Sequence, residues 1–418
     1  MLIQFTFKNY KSFRDDTTLD LSATKITEHA DRVVKVGNEK ILTSAAIYGA
    51  NASGKSNLVE AFRFMASYVL DSFSYGDENA SDNENTNRLH RTPFLFNNNS
   101  RTDPSSFEVF FIDSESGKSS KIYNYGFTLN KDGIEEEWLN SKSMSAKFFK
   151  TIMYRGEGKL EFDGIPARSQ ENIRIALGSY SLVASLGAKL NISKFKMVRN
   201  WFLRVHFKNF GDPYENAFVS RLVPKGFDNN IEVQNNVVKY FSSFDSSIVG
   251  FNVKKYFDER NEEHMHINAV HRIAGTNETT SIPLEQESAG TLKMFALYPD
   301  LQDVLDRGGV LCIDELNARL HPLLVRSFII TFLDPNINTK HAQLIFTTHD
   351  AWQLSNNLLR RDEIWFTEKQ DDGNTILYSL ADFADEDGLK IRKDESFEKN
   401  YLLGKYGAIP NLKAFDMF

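Results

Sequence analysis

A single cysteine, Cys312, in 418 residues excludes an internal disulfide and fits a reducing cytosol. No apolar run approaches the roughly 20 residues that a membrane-spanning helix needs, so no membrane association is expected. The first eleven residues alternate apolar and polar types without an apolar signal-peptide core, which points to a cytoplasmic location. Positive charge is also not in excess: 49 Lys and Arg stand against 56 Asp and Glu, a net charge of −7. Such a surface is not built as a whole to embrace nucleic acid, although a local basic face stays open. Internal repeats are absent, and no heptad run is long enough for an extended coiled coil. What remains is globular material, 41% hydrophobic and 25% charged, long enough for two or three lobes. The 34 phenylalanines read first as core and interface filler.

Ile3, Phe5 and Phe7 alternate with polar neighbours as a half-buried strand, and a second short strand over 18–21 is expected to pair with it. Residues 72–106 are rich in Ser, Asp, Asn and Glu and read as a surface loop. Strands then follow over 107–112, 122–129, 133–139 and 147–154, an antiparallel sheet to one side of the rest of the fold. Residues 166–244 read as mostly helical, with Phe195, Val198, Trp201, Phe202 and Val205 at helical spacing. Strands return near 250–257 and 264–273, and helix and strand alternate from Glu285 onward, the mark of parallel α/β construction.

The chemistry centres on Gly49-Ala50-Asn51-Ala52-Ser53-Gly54-Lys55-Ser56, which fits G-x-x-x-x-G-K-[ST]. Its setting fits too: the short apolar run Ala45-Ala46-Ile47-Tyr48 precedes it, and Leu58, Ala61, Phe62, Met65 and Val69 follow at helical spacing. A strand, a glycine loop and a helix N-terminus make an anion site, because free backbone N–H groups point at the phosphates. Residues Gly49, Asn51, Ser53, Gly54 and Asn57 belong to this nucleotide cradle, Lys55 is placed for the β- and γ-phosphates, and Ser56 for Mg²⁺. The strand Gly309-Val310-Leu311-Cys312-Ile313 ends in Asp314 and Glu315. Asp314 is assigned to the Mg²⁺ shell and Glu315 to the attacking water, against the blander reading of an acidic pair at a helix start. A second apolar strand, Gln343 through Thr348, ends in His349, which either contacts a γ-phosphate or is a solvated loop residue. Ser288-Ala289-Gly290 precedes a helical run and is either another anion site or an ordinary serine N-cap.

Taken in order, GANASGKS, ESAGT, LCIDEL, LHP and TTHD resemble the head domain of ABC-type ATPases related to the SMC and RecF proteins. The resemblance covers about 1–165 and the part after about 270. It implies an α/β, ABC-type P-loop head, with a mixed sheet core and an antiparallel β-subdomain, and a mainly helical arm inserted between two lobes. The corresponding division is 1–165, 166–270 and 271–418. It also implies ATP and Mg²⁺ as ligands, His349 as switch histidine, 317–322 as D-loop, and Ser288 and Gly290 as a signature reaching the ATP of a second copy. A homodimer or higher homo-oligomer follows. The start, Ile3 through Phe13, and the stretch Tyr401 through Pro410 are similar to compact ATPases of bacterial phage-defence and abortive-infection systems, the group of RloA, AbiL and PARIS. That group implies an ATPase gating a separately encoded effector, a nuclease or toxin. The alternative is a DNA-repair ATPase that binds nucleic acid directly.

Several residues stand outside this scheme. No Q-loop glutamine is assignable between the phosphate loop and the first antiparallel strands. Arg319 reads as a surface cation before an arginine finger. Lys189, Lys194, Lys196, Arg199, Arg204 and Lys208 interleave with aromatics, and a core stripe with a solvated cationic face is favoured over a nucleic-acid track. His264 and His266, lacking a nearby Cys or further His, read as surface residues, and Asp385-Glu386-Asp387 is not taken as a nuclease site.

Overall fold

The computed structural model describes residues 1–75, 89–113, 119–212, 223–224, 226–242, 244–258, 260–384, 391–392 and 395–410. The triplet Asp385-Glu386-Asp387 and the centre of the expected 72–106 loop lie outside these residues. The strands run β1 Leu2–Lys8, β2 Thr17–Asp20, β3 Val34–Val36, β4 Glu39–Ile41, β5 Ser44–Gly49, β6 Ser105–Asp113, β7 Lys121–Asn130, β8 Gly133–Ser143 and β9 Lys150–Gly156. They continue as β10 Lys159–Phe162, β11 Val205–Asn209, β12 Ile248–Phe257, β13 Glu263–Arg272, β14 Thr279–Pro283, β15 Val310–Asp314, β16 Gln343–Thr347, β17 Ile364–Lys369 and β18 Thr375–Ser379. The helices are α1 Lys55–Asp71, α2 Ala167–Ala176, α3 Val183–Lys189, α4 Ser193–Phe202, α5 Ile231–Phe241, α6 Ala289–Arg307, α7 Pro322–Leu333 and α8 Phe397–Leu402.

Two large sheets organise the chain. One is antiparallel, in the order β10-β9-β8-β7-β6-β1-β2; the other runs β11-β15-β16-β5-β17-β18 and is parallel except for β18. The central strands β5, β15 and β16 are buried along their whole length, as continuous apolar runs of a parallel sheet covered on both faces must be. Because side chains alternate, each strand feeds two cores. Ala45, Ile47, Val310 and Cys312 face a cluster with α1 and the antiparallel sheet, whereas Ala46, Tyr48, Leu311 and Ile313 face one with α6, α7 and α8.

Helix α1 is therefore clamped between the sheets. Phe62 packs on Phe5 of β1 at 4.7 Å and edge-on to Phe207 of β11 at 5.6 Å, while Phe64 meets Phe107 and Tyr68 stacks on Phe127. Each such aromatic pair adds about 0.5–1.5 kcal/mol beyond its area burial. Gln343 ties the sheets at another point, accepting from Leu2 N at 2.6 Å and donating to Leu2 O and Leu42 O.

Segment 166–270 carries the expected helices, the expected strands β12 and β13, and one strand more, β11. Phe195, Val198, Trp201 and Phe202 of α4 are buried, with Trp201 stacked on Phe111 at 4.4 Å, so the aromatic half of the basic-aromatic stretch is core. The buried Glu137 carboxylate accepts from Val183 N and Ala184 N at the start of α3, and burial pushes its pKa up. Strand β11 was not expected within a helical stretch. Val205, which continued the helical spacing of Phe195 through Phe202, begins this strand; His206 sits between Asp300 and Asp303 of α6, and Lys208 pairs with Asp300 at 2.7 Å. A third helix expected after β16 is replaced by two short 3-10 turns, Ala351–Gln353 and Arg361–Glu363, before β17 returns parallel to β5. Among the described residues no helix is long and apolar enough to cross a membrane.

Candidate functional site

The loop between β5 and α1 closes around Lys55. Its ammonium donates to Gly49 O and Ala50 O, both at 2.9 Å, and the residue is buried. Gly54, at φ 110°, precedes α1 with no side chain capping the helix, leaving the first N–H groups for an anion. A Cβ at Gly54 would come within 2.8 Å of Thr375 and 2.9 Å of the Ser12 hydroxyl, so only glycine fits. The loop is braced from β17, β18 and the turn after β1: Ser53 Oγ bonds Thr367 Oγ1 at 2.6 Å, Thr375 Oγ1 donates to Ser53 O, and Asn57 donates to Ser12.

Strand β16 lies between β5 and β15 and brings the acidic pair to this loop. Thr347, fully buried at its end, donates to Asp314 Oδ1 at 2.5 Å and accepts from Glu315 N at 2.8 Å. One hydroxyl thus orients both acidic residues. Glu315 adopts a left-handed backbone, φ 54°, a strained conformation for a residue with a side chain. Its carboxylate lies so close to Gly211, just after β11, that a Cβ there would meet Oε2 at 2.5 Å. Thr348 Oγ1 and His349 N both donate to Asn317 Oδ1, so the stretch after β16 is pinned to the stretch after β15.

A cavity of about 800 Å³ opens over the loop, and its wall includes Asn51 through Asn57, Glu315 and His349. Desolvation lowers the Lys55 pKa to about 8, although Asp314 and Glu315 pull it the other way. The His349 pKa is lowered by desolvation and then by the Lys55 ammonium, against the two carboxylates. Hard oxygen donors such as the Ser56 hydroxyl and the Asp314 carboxylate suit Mg²⁺.

Ser288 and Gly290 are elsewhere. Ser288 caps α6, its Oγ accepting from Thr291 N at 3.1 Å, and both residues line a separate cavity of about 610 Å³ with the exposed Arg319 and His321 and the buried Leu320. The buried Lys293, one turn into α6, donates to Phe210 O and, at 2.9 Å, to Ala318 O. It links the signature-like helix to the stretches after β11 and β15.

A family model described as "AAA domain, putative AbiEii toxin, Type IV TA system" matches residues 44–351, which contain Lys55, Ser288, Asp314, Glu315 and His349. The chain belongs to this AAA-domain family. It is similar to two solved structures. One is the Smc head domain with an extended coiled coil bound to the C-terminal domain of ScpA from Pyrococcus furiosus: 14% identity, TM-score 0.37, covering 90% of this chain and 96% of that chain. The other is the Smc head domain with a coiled coil and joint from Pyrococcus yayanosii: 13% identity, TM-score 0.39, covering 91% and 97%. No curated protein matches.

Thr347 and Lys293 were not singled out from the sequence, because a threonine in an apolar strand and a lysine in a helix carry no local mark of their partners. The histidine reading also changes in detail. His264 lies with Asp258 and Glu262, ligand atoms within 4.8 Å of one another, but Asp258 already accepts from Arg260 N, Glu262 N and His264 Nε2. The trio is a turn lock at the β12–β13 hairpin, and His266 is exposed.

Proposed function

We propose that the chain is an ATP- and Mg²⁺-dependent ATPase that works as a nucleotide-gated homodimer or higher homo-oligomer. It would act in the cytoplasm as the regulatory subunit of an anti-phage, abortive-infection-like system, gating a separately encoded nuclease or toxin. The observation that carries the enzymatic part is the convergence of Lys55, Glu315 and His349 on one cavity, with Asp314 bonded to the same Thr347 hydroxyl that receives Glu315 N.

Lys55 would exchange its loop carbonyls for β- and γ-phosphate oxygens, joined by the N–H groups at the start of α1. Mg²⁺, held by Ser56 and Asp314, would neutralise charge on the phosphates. Glu315 would orient the attacking water and take its proton, its position set by Thr347 and by the backbone strain. His349 would donate to the γ-phosphate as the neutral imidazole that its lowered pKa favours. The separation of Ser288 and Gly290 from the Lys55 cavity supports their acting on the nucleotide of a second copy. The defence assignment is supported by family membership and by the resemblance of the chain's start and of residues 401–410. The DNA-binding alternative loses its stacking platform, since Phe195, Trp201 and Phe202 are buried and Lys208 pairs with Asp300.

The test is phosphate release combined with sizing. Glu315→Gln is expected to bind ATP, release phosphate at least about a hundredfold more slowly and accumulate as an ATP-bound dimer. Turnover equal to that of the unsubstituted protein would remove Glu315 from the mechanism.

A further inference from the structure

Part of the wall of the phosphate-loop cavity serves no phosphate. Thr92, Pro93, Leu95 and Phe96 line it together with Lys11 and Lys369. Phe96 keeps 70% of its surface exposed and Leu95 54%, an unusual expense of apolar area in a cavity that otherwise carries charge.

The exposed ring is nevertheless held in place. The Lys369 ammonium lies 5.4 Å from its centroid, and the turn at Gly373 packs so close that a Cβ there would reach the ring at 3.0 Å. The neighbouring Phe94 is buried, edge-on to Phe96 at 5.6 Å. The backbone of the segment is anchored on both sides: Phe94 N donates to Asn9 Oδ1 at 2.9 Å, Thr92 O accepts from Lys11 N at 2.7 Å, and Leu95 O accepts from Arg101. An aromatic that is fixed, exposed and in the same cavity as a phosphate loop has the form of a stacking platform.

We infer that Phe96, flanked by Leu95 and Pro93, is the surface on which the nucleobase of the bound triphosphate stacks. The inference rests on the nucleotide reading of the Lys55 loop and names what holds the other end of that ligand. A phenyl ring offers a face and no hydrogen-bonding group, so Phe96 reads the face of a base and not its edge. Phe96 is then a determinant of affinity for nucleotides over bare polyphosphate, and adenine and guanine nucleotides use it alike.

The experiment measures binding of ATP, GTP and inorganic tripolyphosphate, each with Mg²⁺, to the unsubstituted chain, Phe96→Ala and Phe96→Trp. Phe96→Ala is expected to weaken ATP and GTP alike by about tenfold and to leave tripolyphosphate unchanged. Phe96→Trp is expected to restore nucleotide affinity to within about threefold, since any aromatic face supports stacking. Unchanged ATP affinity in Phe96→Ala would overturn the inference while leaving the nucleotide reading intact. Equal weakening of ATP and tripolyphosphate would also overturn it, by showing that the substitution disturbs the loop. If the unsubstituted chain bound neither ATP nor tripolyphosphate, the nucleotide reading itself would fall and this inference with it.

Discussion

Lys55 has to be an ammonium to serve a triphosphate, and its surroundings work against that. Burial brings its pKa down to about 8 against an ordinary value of 10.5, so between those limits the folded chain holds fewer protons than the unfolded one. The residue therefore opposes folding less as pH rises through that window, while the nucleotide demands the charged form. Calorimetry of ATP binding at about pH 9, in buffers of different ionisation heat, should show uptake approaching one proton, fading towards pH 7. Lys55→Met should show none, and an uptake that persists in the variant would assign the proton elsewhere. A contrasting residue is Cys312, whose thiol is buried and whose pKa burial drives upward, leaving it packing in β15 and not chemistry.

At the scale of elements, α1 shows what made this chain readable. Its loop and its apolar positions lie within one short stretch, so sequence alone placed the strand, the loop and the helix, and the strands leading to Asp314 and His349 announced themselves as continuous apolar runs. The all-round burial of α1 was less visible, because Phe64 and Tyr68 find Phe107 and Phe127 on strands far along the chain. Strand β11 escaped for a different reason: it is only five residues long, and its first, Val205, also continues the helical spacing of Phe195, Val198, Trp201 and Phe202. The clamp predicts an uneven stability map. Phe62→Ala should cost about 3–5 kcal/mol in denaturant melts. Phe148→Ala, at a ring 83% exposed, should stay within about 0.5 kcal/mol. Comparable losses from both would contradict the placement of α1 between the sheets.

For the molecule as a whole, the two cavities set the expectation for assembly. If the Ser288–Gly290 cavity serves a second copy, Ser288→Arg should leave ATP affinity of the single chain unchanged, abolish the ATP-induced dimer in sedimentation velocity and cut turnover by about two orders of magnitude. An intact ATP-induced dimer in this variant would place the contact elsewhere. The two cores add a constraint on signalling within one copy. Helix α1 and helix α6 lie on opposite faces of the parallel sheet, each sealed into its own apolar cluster. Both helices nevertheless pack on β15, so the strand that ends in Asp314 touches each of them. A second connection runs at the sheet's end, where Glu315 leans on the stretch after β11 and Lys293 holds Phe210 and Ala318 together, so a ligand at Lys55, as proposed, would have two ways to bear on α6.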